Sequence, residues 1–476
     1  MSRTHAIVIG GSMAGLSAGR VLSQVYDRVT VIDRDTYPEG VGERSGVPHS
    51  RHVHALLARG RLELERLFPG FGNLAREGGA HEIDFGMDFA TLRPYGWSQR
   101  RPDGLSLLFA SRNLIESVVR GLFRRLPNVT LLEQTAVTSL NSATNGRRRV
   151  TGVTARSADG SGPTQLDADL VVDASGRASQ APAWLRALGL EPPQETVVNA
   201  FAGYSSRWFQ APSPERWPQE WWWKGIWIDL KEPEVLTAGV LFPVEHGRWI
   251  ITLGGVAKEY PPTDEDGFME ALGSRLRSPI LAEAARLAEP LSPVYGHRTM
   301  ANRFRHYEQW HERLDGFIAL GDAVCAFNPV YGQGMTTGTL SAVVLAECLE
   351  RYGPDEPDLP QHFFRAQAKV QDNPWRLATG ADFRFPLTEG SQSAGSRVLD
   401  PYMKALFATA IDDHVVRRRL SQVINMLEPP SAFFAPPIMG RVVLNAVRRR
   451  VGKHARTPIP DRPPTHAAGP SSHLSP

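Results

Sequence analysis

Cysteine is almost missing from this chain, with two thiols, Cys325 and Cys348, among 476 residues. That scarcity excludes a disulfide-stapled scaffold, and the expected compartment is a reducing one, the cytoplasm. Neither cysteine has metal-ligand spacing, and His52 and His54 have no further ligand near them in sequence, so no metal is expected. Charge of one sign is also scarce. The 53 basic residues against 50 acidic ones leave +3, too little for a nucleic-acid footprint. No apolar run reaches the roughly 20 residues that span a bilayer as a helix. Gly10 and Gly11 interrupt the only early apolar run, which argues against a secretory leader. With 42% hydrophobic and 22% charged residues, the chain reads as an ordinary globular protein, long enough for two or three domains.

What the chain does have begins at Ala6. The run Ala6–Ile9 suits a buried parallel strand. Gly10, Gly11 and Gly15 break the pattern, a helical stretch runs from Met13 to about Val25, and a second apolar run, Val29–Ile32, ends at Asp33. Strand, glycine turn, helix, strand, acid is the order of a dinucleotide-binding βαβ unit. A pyrophosphate must come close to backbone N–H groups at the turn, and the helix N-terminus then faces its negative charge. Ser12 stands where the usual Gly-x-Gly-x-x-Gly spacing has its middle glycine, and it adds only a small side chain and a donor. Gly10, Gly11, Ser12, Met13, Ala14 and Gly15 are the expected cofactor contacts. Asp33 is placed to accept from ribose hydroxyls, with Arg34 beside it.

Residues 315–341 repeat the theme. Phe317–Leu320 reads as a buried strand, Gly321-Asp322 ends it, Pro329 breaks the loop, Gly332 and Gly334 flank Gln333, and a helix runs from about Met335 to Leu349. An Asp at a strand end can hold a sugar hydroxyl, and free N–H groups at a helix start stabilise anionic charge. A third strand, Leu170–Asp173, leads into Ala174-Ser175-Gly176-Arg177-Ala178-Ser179.

In this order, over roughly residues 5–390, the motifs resemble those of the p-hydroxybenzoate-hydroxylase-like FAD monooxygenases. The resemblance implies FAD as cofactor. It places Asp322 on the ribityl or ribose hydroxyls, Pro329 against the isoalloxazine, and the backbone around Gly332, Gly334 and Met335 at the flavin N1–C2=O edge. Ser111-Arg112-Asn113-Leu114 is similar to a family element whose arginine approaches the flavin side chain, which implies that role for Arg112. Arg44 or Arg51 would meet the cofactor, and the strand ending near Val137 would pass the adenine. Gly46–Leu57 and Phe327–Met335 are similar to the polyether-epoxidase-type branch of actinomycetes. Where the hydroxylases carry an Asp-Gly pair tied to both FAD and NAD(P)H, this chain has Ser175-Gly176, with Asp173 two places earlier. That variant resembles the branch holding the epoxidases and the flavin-dependent halogenases. Reducing power is therefore expected from NAD(P)H directly or through a separate flavin reductase.

Residues 195–300 read differently. Alternating or apolar runs at Val197–Ser205, Gly225–Leu230, Leu236–Phe242 and Arg248–Gly254, with a hairpin link at Pro243–Gly247, predict an antiparallel sheet. Seven tryptophans, Trp208, Trp217, Trp221, Trp222, Trp223, Trp227 and Trp249, fall here out of eleven in the chain. Aromatic walls suit a large apolar substrate, and Phe201, Tyr204, Trp223 and Trp227 are the expected pocket residues. Trp221–Ile226 only imitates the halogenase Trp-x-Trp-x-Ile-Pro motif. The chain beyond Asp372 reads as helical, started by Asn373-Pro374-Trp375. Its segment 438–451 puts Met439, Val442, Val443, Ala446, Val447 and Val451 on one face, which implies docking on the FAD domain or at most peripheral membrane contact.

The expected fold class is α/β: a discontinuous FAD-binding Rossmann-like domain of the glutathione-reductase type (1–85, 105–182 and 296–390), an antiparallel β-sheet substrate domain (86–104 and 183–295), a C-terminal helical region (391–455) and a disordered tail (456–476). The activity implied by the resemblance is insertion of one oxygen atom from O2, through a flavin C4a-hydroperoxide, into an apolar small molecule by epoxidation or hydroxylation. An isoprenoid reductase of the same architecture and a halogenase are the alternatives. No catalytic acid or base stands out.

Overall fold

A computed structural model of the chain describes residues 4–298, 300–392, 394–451 and 459–465. The first apolar run becomes the strand His5–Ile9, at the centre of a five-stranded sheet. Ala6, Ile7 and Val8 are completely buried, as a strand covered on both faces requires. Arg28–Ile32 and then Val129–Leu132 extend the sheet on one side, and Leu170–Asp173 and then Phe317–Ala319 on the other. Every pairing is parallel. The strand order therefore reverses between His5–Ile9 and Leu170–Asp173, and such a reversal opens a crevice beyond the strand ends. The glycine turn lies there. A Cβ on Gly10 would come within 2.6 Å of the Ala174 carbonyl, and the φ of Gly10, +97°, is one that side chains disfavour.

Helices Met13–Leu22, Arg112–Phe123 and Gly334–Tyr352 cover this sheet. The helix Leu359–Asp382 continues through Pro374, where the sequence predicts a start. A proline inside a helix costs about 3 kcal/mol. The periodic burial of Phe363, Phe364, Gln367, Gln371 and Ala378 on the same helix offsets that cost.

The second large sheet has eight strands. Gly203–Gln210, Arg248–Gly255, Thr237–Val244 and Gly225–Ile228 pair antiparallel in that spatial order. Gly225–Ile228 then pairs parallel with Phe89–Arg93, so the sheet is mixed rather than purely antiparallel. The predicted hairpin link is a Glu245-His246-Gly247 loop with left-handed backbone at His246 and Gly247 (φ 61° and 64°). Side chains alternate across the sheet. Ile226, Ile228 and Leu241 face a core shared with helices Glu265–Ser274 and Ile280–Leu287, whereas Trp227, Val240 and Phe242 pack on the opposite side with Phe89 and Phe109.

Three more helices, Ala394–Thr409, His414–Ile424 and Pro436–Val451, form a C-terminal layer with its own small core. Of the expected disordered tail, 456–458 and 466–476 lie outside the described residues. Residues 459–465 lie against the body, where the Pro460 carbonyl accepts from the Trp97 indole at 2.8 Å and Arg462 pairs with Glu283 at 2.7 Å. No helix among the described residues is long and apolar enough to cross a membrane.

Candidate functional site: two helix starts at the strand reversal

The two glycine-led helices meet at Ala14. Its Cβ would lie 2.9 Å from a Cβ on Gly321 and 3.1 Å from one on Gly338, so only glycine allows the helices this approach. Neither Ser12 nor Gln333 caps its helix through the side chain. The free N–H groups of both first turns remain available, and both carry the positive end of a helix dipole. Asp322 lies in the turn Gly321–Ala323, with one carboxylate oxygen 3.7 Å from the Cβ position of Gly334. No hydrogen-bond donor reaches Asp322 among the described residues. Burial pushes its carboxyl above the usual range, while Arg177, Arg303 and Arg112 pull the other way.

A buried ionic chain flanks the first helix start. Arg112 donates to the Ser12 hydroxyl at 2.6 Å and pairs with Glu116 at 2.7 Å. Glu116 accepts from Arg44 at 2.7 Å, and Arg44 reaches Asp33 at 2.9 Å and Asp35 at 3.1 Å. Burial alone would raise the Glu116 carboxyl, but Arg112 and Arg44 outweigh it and hold it below its ordinary value. The Arg44 Nη2 is buried with no hydrogen-bond partner. A buried guanidinium nitrogen left open in this way is costly unless something else accepts from it.

The third element is the loop Asn328–Gln333. Asn328 takes the Asn302 side-chain oxygen on its N–H at 2.7 Å, and Tyr331 donates to Asp382 at 2.9 Å. Asp382 also accepts from Asn302 at 2.6 Å. Gly332 then turns left-handed (φ +65°), 3.0 Å from Ala55 by its Cβ position, and delivers the chain into the second helix start. A cavity of about 2240 Å³ opens from this loop. Its walls include Leu107, Phe109, Trp227, Phe242, Val256 and Phe385. His54 also lines it. The His54 Nδ1 lies 3.0 Å from the His52 carbonyl, which can only accept, so that nitrogen carries the proton. Burial first, then Arg112, pushes the ring down to about 4, and the neutral imidazole keeps its other nitrogen as an acceptor.

The family model described as FAD binding domain matches residues 3–352. The chain belongs to this FAD-binding family, within the p-hydroxybenzoate-hydroxylase-like flavin monooxygenase superfamily. Protein Rv3254 of Mycobacterium tuberculosis is 32% identical over 462 residues, 94% of each chain. In fold, the family member is similar to the flavin-dependent brominase Bmp2 (13% identity, TM-score 0.63, 94% of this chain and 100% of that one). It is also similar to p-nitrophenol 4-monooxygenase PnpA from Pseudomonas putida DLL-E4 (18% identity, TM-score 0.63, 90% and 99%).

The family's cofactor fits what the site offers. The two uncapped helix starts would give N–H donors to a pyrophosphate and to flavin oxygens, Asp322 would accept from hydroxyl donors, and the open Arg44 nitrogen would donate. Gly10 to Gly15, Arg44, Arg112, Asp322, Gly332, Gly334 and Met335 converge on this region. Other expected residues are placed differently. Asp33 already accepts from the Gly11 N–H (2.8 Å), the Tyr37 hydroxyl (3.0 Å) and Arg44, so it organises the loop from within the protein rather than standing free for a ribose. Gly11 is glycine because the Tyr37 hydroxyl would lie 1.7 Å from its Cβ. Arg34 points to solvent. Arg51 is also outward, paired with Glu43 at 2.8 Å, which leaves Arg44 as the inward arginine. Val137 is half-buried on the strand Thr135–Asn145, against the main core, and Pro329 is exposed at the start of its turn.

Of the four expected pocket residues, Trp227 lines the cavity. Trp223 does not: it is fully buried with Trp217, Trp221 and Trp249 under the far face of the sheet. Phe201 carries Lys258 over its ring at 4.5 Å, and Tyr204 packs edge-on against His52 at 4.4 Å, both off the cavity wall. Asp173 does not face the crevice either. Ser175 and Ser179 hold its carboxylate, each at 2.5 Å, and it closes the turn beneath them. Sequence reasoning missed Glu116, Tyr37 and Asp382, and it named His54 without a site role. The Arg112, Glu116, Arg120 spacing was a readable signal for the first, because residues four apart share a helix face. Nothing local marked Tyr37 or Asp382.

Proposed function

We propose that this chain is a FAD-dependent monooxygenase that places one oxygen atom of O2 on a large apolar substrate, by epoxidation or hydroxylation, in specialised metabolism. The observation that carries this reading is the cavity of about 2240 Å³, walled mainly by apolar and aromatic side chains, that runs up to Gly332 and Gln333 at the second helix start. Bound FAD supplies the redox and oxygen chemistry. The chain's residues do the rest. The helix starts at Met13 and Gly334 hold negative charge, Arg112 and Arg44 brace the first of them, and Asp322 accepts from cofactor hydroxyls. Trp227, Phe242 and Phe109 keep water from the reacting carbon. His54, neutral with a free acceptor nitrogen on the cavity wall, can take a hydrogen bond from a substrate hydroxyl and fix which end of the substrate enters. The second oxygen atom leaves as water, with two electrons drawn from NAD(P)H directly or through a separate flavin reductase.

Supply of the reduced protein with a panel of apolar polyenes and phenols, with and without O2, tests this. Product that carries one atom of labelled O2 and appears only aerobically supports the proposal. Saturated product formed without O2 would instead mark an isoprenoid reductase.

A further inference from the structure

The helix Pro436–Val451 has two apolar faces, and the described residues cover only one. Ile438 and Val442 are buried in the C-terminal core. Met439, Val443, Leu444 and Val447 stand 41%, 56%, 50% and 51% exposed. At 100° per residue these four fall within one strip along the helix. Arg441 and Arg448, seven residues apart, lie in line at its border. Between His414 and Val451 the chain has seven arginines and one acid, Glu428. Asp413 and Asp412, just ahead of that stretch, pair with Arg441 at 2.8 Å and Arg449 at 3.0 Å, and the layer still keeps a positive excess. The same helix forms one end of the cavity, through residues 445–449, with Ile459 beside it.

An apolar strip bordered by arginines on a surface helix is the arrangement that lies in the interface plane of a membrane, with the strip among acyl chains and the arginines at anionic headgroups. We propose that this face docks the protein on anionic lipid bilayers, next to the cavity end from which an apolar substrate would enter. Loading of the cavity from the lipid rests on the oxygenase reading; the docking itself does not. The charge argues for lipid over a second copy of this chain, because two such faces would bring their arginines together.

The test is sedimentation of the full-length flavoprotein with vesicles of phosphatidylcholine alone and of phosphatidylcholine mixed with phosphatidylglycerol. The protein should pellet with the anionic vesicles, be released as salt is raised, and bind the neutral vesicles at least about fivefold less well, the factor expected for one arginine at the surface. The double variant Val443→Asp, Leu444→Asp alters neither the cavity wall nor the cofactor cradle. It should lose vesicle binding at least about tenfold while keeping its flavin content and thermal midpoint. No binding to anionic vesicles, equal binding to both kinds, or undiminished binding of a folded double variant would overturn the proposal. So would a concentration-dependent dimer that the same variant abolishes, since a second copy would then own the face. The salt titration needs no variant and decides the electrostatic part even if the double variant fails to fold.

Discussion

Tyr331 and Asp382 join two distant parts of the chain: the Tyr331 hydroxyl donates to the Asp382 carboxylate at 2.9 Å and so ties the turn before the second helix start to the C-terminus of the helix Leu359–Asp382. Asn302 and Asn328 add their amides to the same carboxylate. Burial pushes Asp382 up to about 6, although these three donors pull it down. The folded chain therefore holds this proton more tightly than the unfolded one. The stabilisation is complete below the ordinary value of 3.8 and is lost as pH rises through about 6. Urea midpoints of wild type and Asp382→Asn, compared across this range, should show the wild type gaining on the variant as pH falls from about 6 toward about 4. A difference that does not change with pH would contradict the assignment.

His52 and His54 act in the opposite sense. Both are pushed down from 6.5 by burial, to about 3 and about 4. Their contribution to stability is whole above 6.5 and is lost as pH falls toward those values, at about 1.4 kcal/mol per pH unit for each ring. Denaturation curves below pH 6.5 should show this slope, and it should shrink in His52→Asn. A slope unchanged in that variant would mean that His52 does not resist protonation.

The link between Arg112 and Arg44 depends on Glu116. Glu116→Gln leaves the buried Arg112 guanidinium without its anion, while Arg44 keeps Asp33 and Asp35, and breaking a buried pair in this way costs about 3–5 kcal/mol. Thermal unfolding should show a loss of that order, with weaker flavin retention because Arg112 braces Ser12. A loss within about 0.5 kcal/mol, as for an exposed substitution, would show that the chain is not buried as described.

Trp223 and Trp227 are four residues apart and face opposite ways. Trp223→Ala removes a fully buried indole and should cost about 3–5 kcal/mol of stability, with substrate affinity preserved in whatever folded protein remains. Trp227→Ala should change KM far more than the thermal midpoint. The reverse pattern would place the substrate on the other side of the sheet.

Much of this arrangement could be read from residue order. The runs Ala6–Ile9 and Leu170–Val172 are apolar and rich in β-branched residues, and Gly10 and Gly321 must be glycine because backbone and Ala14 crowd them, so the strand ends and helix starts were legible. The sheet beyond residue 195 was legible through alternation, except that the run Val197–Ser205 divides between Glu195–Val198, in a separate sheet, and Gly203–Gln210. The direction of each tryptophan was not. Trp223 precedes its strand, so period two says nothing of its face, and the parallel pairing with Phe89–Arg93 joins segments more than a hundred residues apart. Asp33 was placed correctly at the strand end, but its partners Tyr37 and Arg44 arrive through a loop that has no periodicity. Pro374 read as a helix start because local chemistry disfavours it inside one, and tertiary burial overrode that preference.

Asp322 is the one carboxylate at the junction of the two helix starts that lacks a donor among the described residues. Compared flavin-free, Asp322→Ala and the wild type should have unfolding free energies within about 1 kcal/mol of each other, since no protein hydrogen bond is lost. Flavin carried through purification should fall sharply in the same variant, and Asp322→Asn should restore part of it. Unchanged flavin content in Asp322→Ala would place the cofactor hydroxyls elsewhere.

The most direct test of the whole account is titration of the flavin-stripped chain with FAD, followed by visible absorbance and protein fluorescence. The two helix starts, Arg44 and Asp322 predict saturable uptake of one FAD per chain, with a perturbed flavin spectrum and a raised unfolding temperature. A chain that stays colourless, with neither fluorescence nor unfolding temperature altered by excess FAD, would contradict it.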